Sequence, residues 1–363
     1  GIHNVIVGGT AGDALTDADY NTVLGSNALS ADTLGSQSTA VGFNALATQN
    51  FTTATNSLNT AVGYQAGLNV TTGIQNTLMG ALAGDALTDA DYNVAIGYAA
   101  LGADTLGSRS VAIGYAALDA QNFTTSTDSY NTAVGFEAGG AITTGIQNVL
   151  IGALAGDALT DSDFNIAIGY NSLSADTLGD RSVAVGVNTL AVQNFTTSTQ
   201  AYNTAVGHNT GAAVTTGTQN TLIGGLAGDA ITTATHNVAV GVDALSTNTT
   251  ASRNVAVGRS ALATMNRTDD ADSYNTGVGW FAGAIITTGT SNTLIGGLAG
   301  DNLQAADDNT AVGTGALGAD SLGVQTTAIG RSSLAAQNFS TSTTTYNTAV
   351  GTNSGLDLTT GTQ

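Results

Sequence analysis

One short pattern of polar and hydrophobic positions recurs along the whole chain: a polar residue, any residue, a small residue, a large apolar residue and glycine. Successive glycines of this pattern follow each other at sequence intervals of 17, 17, 21 and 17, and the series then repeats. Self-similarity at a fixed period indicates a repeat architecture in which each unit packs on its neighbours. The glycines are Gly8, Gly25, Gly42, Gly63, Gly80, Gly97, Gly114, Gly135, Gly152, Gly169, Gly186, Gly207, Gly224, Gly241, Gly258, Gly279, Gly296, Gly313, Gly330 and Gly351.

The 20 units form five 72-residue groups, and three residues remain after the fifth group. The groups are residues 1–72, 73–144, 145–216, 217–288 and 289–360. Because the repetition covers 1–363, we interpret the chain as a single continuous repeat region rather than as the two or three domains that its length suggests. The pattern is already under way at both ends, so we expect a segment of a longer protein.

Each unit predicts a short strand. Position one is Asn in 16 of 20 units, position two is Val, Ile or Thr, position four is a large apolar residue, and position five is always Gly. This alternation followed by an obligatory glycine predicts a strand that ends in a bend. The absence of Pro agrees with strands that all donate ladder hydrogen bonds.

A 17-residue unit is too small to bury a hydrophobic face alone, so the units are expected to stack. The predicted fold is all-β, a parallel β-solenoid of 20 coils in which each coil is one 17-residue or 21-residue unit. At about 4.8 Å per coil, the stack would be on the order of 95 Å long. We expect position four to form a buried aliphatic ladder and position one to form a ladder of amide side chains.

Position three gives a hint about assembly. It is Ala in most units, and Ile or Leu occupies it once in each group. With positions two and four on one side of the strand, position three should face the other side, and its small size suggests close approach of another copy of the chain. The larger residues are Ile6, Leu78, Leu150, Leu222 and Leu294.

Composition excludes several classes of protein. The net charge is −20, with 26 acidic residues, six Arg and no Lys, so we expect no binding to nucleic acid. There is no Cys, which excludes disulfides and zinc–thiolate sites. No run approaches the roughly 18 apolar residues of a membrane-spanning helix, so we expect no membrane insertion of this segment.

The stretches NTAVGYQAG (59–67), NVAIGYAAL (93–101), SVAIGYAAL (110–118) and SVAVGVNTL (182–190) resemble the head repeats of YadA-like trimeric autotransporter adhesins. They are equally similar to the NTAVGYQAL-type repeats of long phage tail fibres, and the 17-residue interval favours the latter. The resemblance implies a left-handed parallel β-roll, a homotrimer wrapped around a common axis, and an extracellular location on a cell surface or virion.

The 21-residue units carry the candidate contact sites. Their four extra residues predict a loop in every fourth coil, about 19 Å apart along the stack. An aromatic residue in four of these loops, and an arginine in the other, would form a repeated patch for glycans or surfaces, strengthened by multivalency. The alternative is that the aromatic residues anchor each loop against the stack or a neighbouring chain. The residues are Phe51, Phe123, Phe195, Arg267 and Phe339.

No pattern predicts an enzyme or a cofactor. The only Glu is Glu137, and the three histidines fall in different groups without a shared spacing, which gives no support to a triad or a metal cluster. The segment GDALTDADYN (12–21) has the Asp-x-Asp-x-Asn spacing of a calcium loop, but the required glycine and distal Glu do not follow. We interpret its carboxylates as solvated turn residues, with loose cation binding as the alternative.

The sequence therefore predicts a structural and adhesive repeat region of an extracellular trimeric fibre, from a phage tail fibre or a bacterial surface adhesin. Two alternatives stay open. The chain could be the subunit of a self-assembling extracellular filament, or a glycan-binding adhesin that uses the loops of the 21-residue coils. The expected partners are two further copies of the chain and a cell-surface glycan or host receptor.

Overall fold

The computed structural model describes residues 1–362 and is all-β, with no helix in that range. About 20 parallel coils stack into a β-solenoid, which confirms the predicted fold class. The coils belong to two compact units. Unit one comprises Gly1–Arg181 with Thr196–Thr199, and unit two comprises Ser182–Phe195 with the chain from Gln200 onward.

Each coil contributes one three-residue strand at positions two to four of the repeat, as predicted. Unit one contains β1 (Val5–Val7), β2 (Thr22–Leu24), β4 (Thr39–Val41), β6 (Thr60–Val62), β7 (Thr77–Met79), β8 (Val94–Ile96), β10 (Val111–Ile113), β12 (Thr132–Val134), β13 (Val149–Ile151) and β14 (Ile166–Ile168). Unit two contains β16 (Val183–Val185), β18 (Thr204–Val206), β19 (Thr221–Ile223), β20 (Val238–Val240), β21 (Val255–Val257), β22 (Thr276–Val278), β23 (Thr293–Ile295), β24 (Thr310–Val312), β26 (Thr327–Ile329) and β28 (Thr348–Val350).

Shorter strands lie where a 21-residue coil follows a 17-residue coil. They are β3 (Gly35–Ser36), β5 (Thr55–Asn56), β9 (Gly107–Ser108), β11 (Thr127–Asp128), β15 (Gly179–Asp180), β17 (Thr199–Gln200), β25 (Gly323–Val324) and β27 (Thr343–Thr344). β3 pairs with β5, β9 with β11, and β25 with β27, all in parallel. In the fourth group a single bridge, Ser252 to Asp272, takes the place of such a pair.

Within each unit, identical repeat positions pair with each other. For example, Ala112 of β10 is opposite Ala95 of β8, and Ile113 is opposite Ile96. This register leaves every side chain of a given position stacked on the same position of the next coil, one strand spacing of about 4.8 Å away.

The core lies on the side of the strand opposite to the one predicted. Position three, for example Ala61 and Leu78, is fully buried, whereas position four is half-buried or exposed: Met79 has 44% of its surface exposed. The predicted buried ladder at position four, and the predicted partner-facing role of position three, are both wrong. Because one closed turn of so short a unit encloses little space, the small residues point inward.

The large residue at position three has a packing reason within the chain. In its neighbourhood, position nine is Gly instead of the buried Leu found in other coils. A Cβ at Gly67 would lie 2.6 Å from Cδ1 of Leu78, and one at Gly84 would lie 2.8 Å from Cδ2 of the same side chain. Leu78 therefore fills the space that two glycines leave free.

The predicted bend at position five is confirmed, and its glycines stack on each other. Their φ angles lie between +126° and +148°. A Cβ at Gly114 would overlap the carbonyl group of Gly135 in the next coil. Both the backbone conformation and the close approach require glycine there.

The predicted asparagine ladder is confirmed and is buried. Oδ1 of Asn59 accepts a hydrogen bond from the backbone N–H of Asn76 at 2.9 Å, and Oδ1 of Asn76 accepts one from the N–H of Asn93 at 2.9 Å. Nδ2 of Asn76 donates to the carbonyl oxygen of Ala90 in its own coil at 2.8 Å. Each asparagine thus closes its coil and connects it to the next one.

Candidate interaction surface

The outward face of the strands is lined by aliphatic and threonine side chains. Positions two and four hold only Thr, Val, Ile, Leu and Met, and no charged side chain interrupts either row. In unit one, the most exposed members of position four within the stack are Leu24 (49%), Met79 (44%) and Ile151 (37%). In unit two, Ile223, Ile295 and Ile329 are exposed to a similar extent. We call the rows at positions two and four the aliphatic face.

A row of exposed aromatic rings borders the aliphatic face, at the residue that follows the position-five glycine. In unit one it consists of Phe43, Tyr64, Tyr98, Tyr115, Phe136 and Tyr170, each about half exposed. Rings of adjacent coils stack nearly parallel, with centroids 5.6 Å apart for Phe43 and Tyr64 and 5.3 Å apart for both pairs in Tyr98–Tyr115–Phe136. We call this row the aromatic ladder.

The stacked rings form an exposed aromatic patch. The longest unbroken run, Tyr98, Tyr115 and Phe136, has three half-exposed rings of about 150–250 Å² each, which leaves roughly 300 Å² in contact with water before the aliphatic face is added. Contiguous apolar patches on monomeric proteins seldom exceed about 300–600 Å², and larger patches mark interaction sites. The repeat pattern did not predict this ladder, although Tyr or Phe follows the glycine in six units of this part of the chain.

A second ladder precedes position one, and in part of it an arginine lies between two aromatic residues, as in Tyr92–Arg109–Tyr130. The guanidinium carbon of Arg109 lies 4.8 Å from the ring centroid of Tyr92 and 6.0 Å from that of Tyr130. The guanidinium of Arg109 also forms an ion pair with Asp128 at 3.3 Å. A guanidinium therefore fits between two rings that lie two coils apart in this architecture.

The predicted loop residues do not present a contact surface. Phe51, Phe123, Phe195 and Phe339 are only 5–6% exposed, so their rings are not available to a glycan or a receptor. This burial fits the alternative interpretation, in which each Phe anchors its loop.

A buried polar network holds each loop. In the first group, Oδ2 of Asp32 accepts a hydrogen bond from Nε2 of Gln49 at 2.6 Å, and Oδ1 accepts one from the N–H of Phe51 at 3.2 Å. Oε1 of Gln49 accepts from Nδ2 of Asn59 at 2.9 Å. The same bonds recur around Asp104 and Asp320. Burial raises the pKa of Asp104, although hydrogen bonds from Gln121 and from backbone N–H groups act to lower it.

The fourth loop replaces this network as a whole. Arg267 stands in place of Phe, and its guanidinium pairs with Asp269 at 2.6 Å and donates to the carbonyl oxygen of Thr288 at 3.3 Å. Asn248 takes the place of the buried Asp, and the fully buried Met265 takes the place of Gln. Arg267 is thus bound within its own loop rather than free to meet a ligand.

The Asp-rich turns have two kinds of carboxylate. Asp17 and Asp89 are exposed, as predicted for solvated turn residues, whereas Asp91 and Asp163 are partly buried. Oδ1 of Asp91 accepts a hydrogen bond from the N–H of Ile74 in the preceding coil at 2.8 Å, and Oδ1 of Asp163 does the same for Ile146. Burial raises the pKa of both carboxyl groups. These side chains connect coils.

One acidic pocket of about 300 Å³ lies in unit one, lined by Asp119, Glu137, Asp157 and small residues. Oδ1 of Asp157 is buried without a hydrogen-bond partner, and burial raises the pKa of this group, with Glu137 adding to the effect. Across residues 1–362, no three His, Cys, Asp or Glu side chains converge in a way that could hold a metal ion. The same range contains no helix that is long and apolar enough to span a bilayer.

In comparisons with known proteins, no family model matches the chain, and no curated protein or solved structure is significantly similar to it.

Proposed function

We propose that this chain is a structural repeat region of an extracellular fibre and that it assembles with further copies of itself, as a homotrimer, through the aliphatic face. The single observation that carries the proposal is the aliphatic face, which is partly exposed in both units and contains no charged side chain. An interface of standard size buries about 800 Å² per partner, and the aliphatic face is the surface that we assign to it. The number three and the extracellular location are supported only by the resemblance of the repeats to trimeric adhesins and tail fibres.

The structural role is supported by how the repeat uses its residues. The glycine and asparagine positions serve the stack itself, since each contacts the same position in the next coil. Such a chain can lengthen by duplication of a 72-residue group without a change in any contact type. A filament that lengthens by end-to-end association of chains stays the second candidate, because parallel strands at the end of a stack can pair with another stack.

Sedimentation of a variant with a charged aliphatic face tests the assembly. Leu24→Glu, Met79→Glu and Ile151→Glu change exposed side chains, so the coils should still form, while like charges would be buried at the interface. We expect the parent to sediment with the mass of three chains and the variant with the mass of one. The matched control, Thr52→Glu, Thr124→Glu and Thr196→Glu, adds the same charge at exposed loop residues and should stay trimeric. A parent that sediments as a stable monomer contradicts the proposal.

A further inference from the structure

The aromatic ladder of unit one has two gaps of one ring each. Ala81 lies between Tyr64 and Tyr98, and Ala153 interrupts the ladder in the same way one group later. Backbone hydrogen bonds show that the three residues are in line: the N–H of Leu82 donates to the carbonyl oxygen of Tyr64, and the N–H of Ala99 donates to that of Ala81. We call these two gaps the notches.

The second notch has the same construction. The N–H of Leu154 donates to the carbonyl oxygen of Phe136, and the N–H of Asn171 donates to that of Ala153, so Phe136 and Tyr170 flank Ala153. Two coil spacings separate the flanking rings, which is about 10 Å. One planar group inserted midway would lie about 5 Å from each ring, the spacing that adjacent rings of the ladder already show.

The chain itself shows which planar group fits such a space. In the ladder that precedes position one, the guanidinium of Arg109 occupies the one-coil gap between Tyr92 and Tyr130. An aromatic sandwich attracts a cation, and a guanidinium can stack on ring faces where an ammonium cannot. The surroundings favour a cation as well, since the chain has 26 acidic residues and Glu137 directly follows Phe136, which flanks the second notch.

Two exposed arginines of unit two match the notches in spacing. Arg259 and Arg331 occupy the same repeat position as Ala81 and Ala153, the residue after the glycine, and both are exposed. The two arginines are one 72-residue group apart, as the two notches are, which is four coils or about 19 Å within each unit. In the described part of the chain, neither arginine has a carboxylate within ion-pair distance, and Arg259 only approaches the ring of Phe281 at 5.9 Å.

We propose that the notches of unit one bind the guanidinium groups of Arg259 and Arg331 from unit two of a second copy of the chain. Each guanidinium would fill the gap in a stack of rings. Because the two spacings are equal, both arginines can insert at once, and insertion of the first raises the effective concentration of the second at its notch. Because the notches lie on the aromatic ladder, this contact does not depend on the aliphatic-face homotrimer and would join assemblies to each other.

Two complementary variants test this contact. Ala81→Tyr with Ala153→Tyr fills both notches with rings that continue the ladder, so the fold should be kept, as circular dichroism and melting would show. Arg259→Ala with Arg331→Ala removes both guanidinium groups that would insert into the notches. We expect each variant alone to lose the concentration-dependent association of the parent, by about tenfold or more in the concentration needed. Sedimentation velocity measures this association above the basal assembly.

Mixing gives the decisive result. The notch-filled variant still has both arginines and the arginine-free variant still has both notches. An equimolar mixture of the purified proteins should therefore associate again, through the two arginines of one chain and the two notches of the other. Arg259→Lys with Arg331→Lys keeps the charge and should still lose association, because the planar group is gone. Unchanged association of either first variant, a mixture that does not associate, or full association of the lysine variant overturns the proposal.

Discussion

At the scale of single residues, the loop coils show that two buried residues in contact with each other are replaced together from one group to another. Asp104 and Gln121 form a donor–acceptor pair at 2.6 Å, and both are fully buried. In the fourth group the corresponding residues are Asn248 and Met265, and Asn248 satisfies both of its amide atoms on the backbone of Ala251. The apolar Met265 suits Asn248, because a glutamine at that position would place a second amide NH₂ group against that of Asn248 and leave buried donors without acceptors.

This exchange predicts a coupling between two substitutions. Asp104→Asn alone should lower the free energy of unfolding by about 1–3 kcal/mol, since the amide of Gln121 then faces another donor. Adding Gln121→Met, which copies the fourth group, should recover part of that loss. Urea denaturation of both single variants and the double variant gives the interaction energy. Additive losses would show that the two side chains act independently.

At the scale of the strand, the structure reverses the two faces that the repeat pattern suggested. A strand of three residues places its middle side chain opposite to the other two, and both faces of this strand are apolar. Leu78 is fully buried, while its neighbour Met79 is 44% exposed. Because Leu78 and Met79 are neighbours in one strand and differ in burial, substitutions at these two positions can be compared directly.

Leu78→Ala should therefore cost about 2–5 kcal/mol of unfolding free energy, because it leaves a cavity beside two glycines that cannot fill it. Met79→Ala removes a side chain of similar size from the outward face and should cost much less. Urea unfolding of the two variants, followed by circular dichroism, compares them. A larger effect of Met79→Ala would show that position four, not position three, faces the core.

At the scale of the whole molecule, the carboxyl groups determine how stability depends on pH. Burial raises the pKa of many Asp side chains in both units: Asp85, Asp91, Asp104, Asp119, Asp157, Asp163, Asp229 and Asp301. A group with a raised pKa binds its proton more tightly in the folded chain than in the unfolded chain. Its stabilising contribution is complete below the unfolded value of about 3.9 and is lost as the pH rises through the folded value.

We therefore expect the melting temperature to increase as the pH is lowered from neutral toward about 4, the ordinary pKa of an Asp carboxyl group, which is the reverse of ordinary acid denaturation. The net charge of −20 acts in the same direction, because protonation relieves repulsion among carboxylates. Melting at low and at high salt separates the two causes: salt screens surface repulsion but leaves the effect of burial. A melting temperature that falls steadily below pH 8 would contradict this expectation.

The sequence by itself determined the coil count, the strand positions, the bend glycines and the asparagine ladder. These follow from the repeat period, because a residue that recurs at every coil must stack on itself. Only the tertiary structure decided which face of the strand is the core, that Phe51 and its equivalents are buried, and that Ala81 leaves a gap between Tyr64 and Tyr98. The alternation of a three-residue strand is the same for either choice of inner face, and closure of the narrow coil selects the face with the smaller side chains.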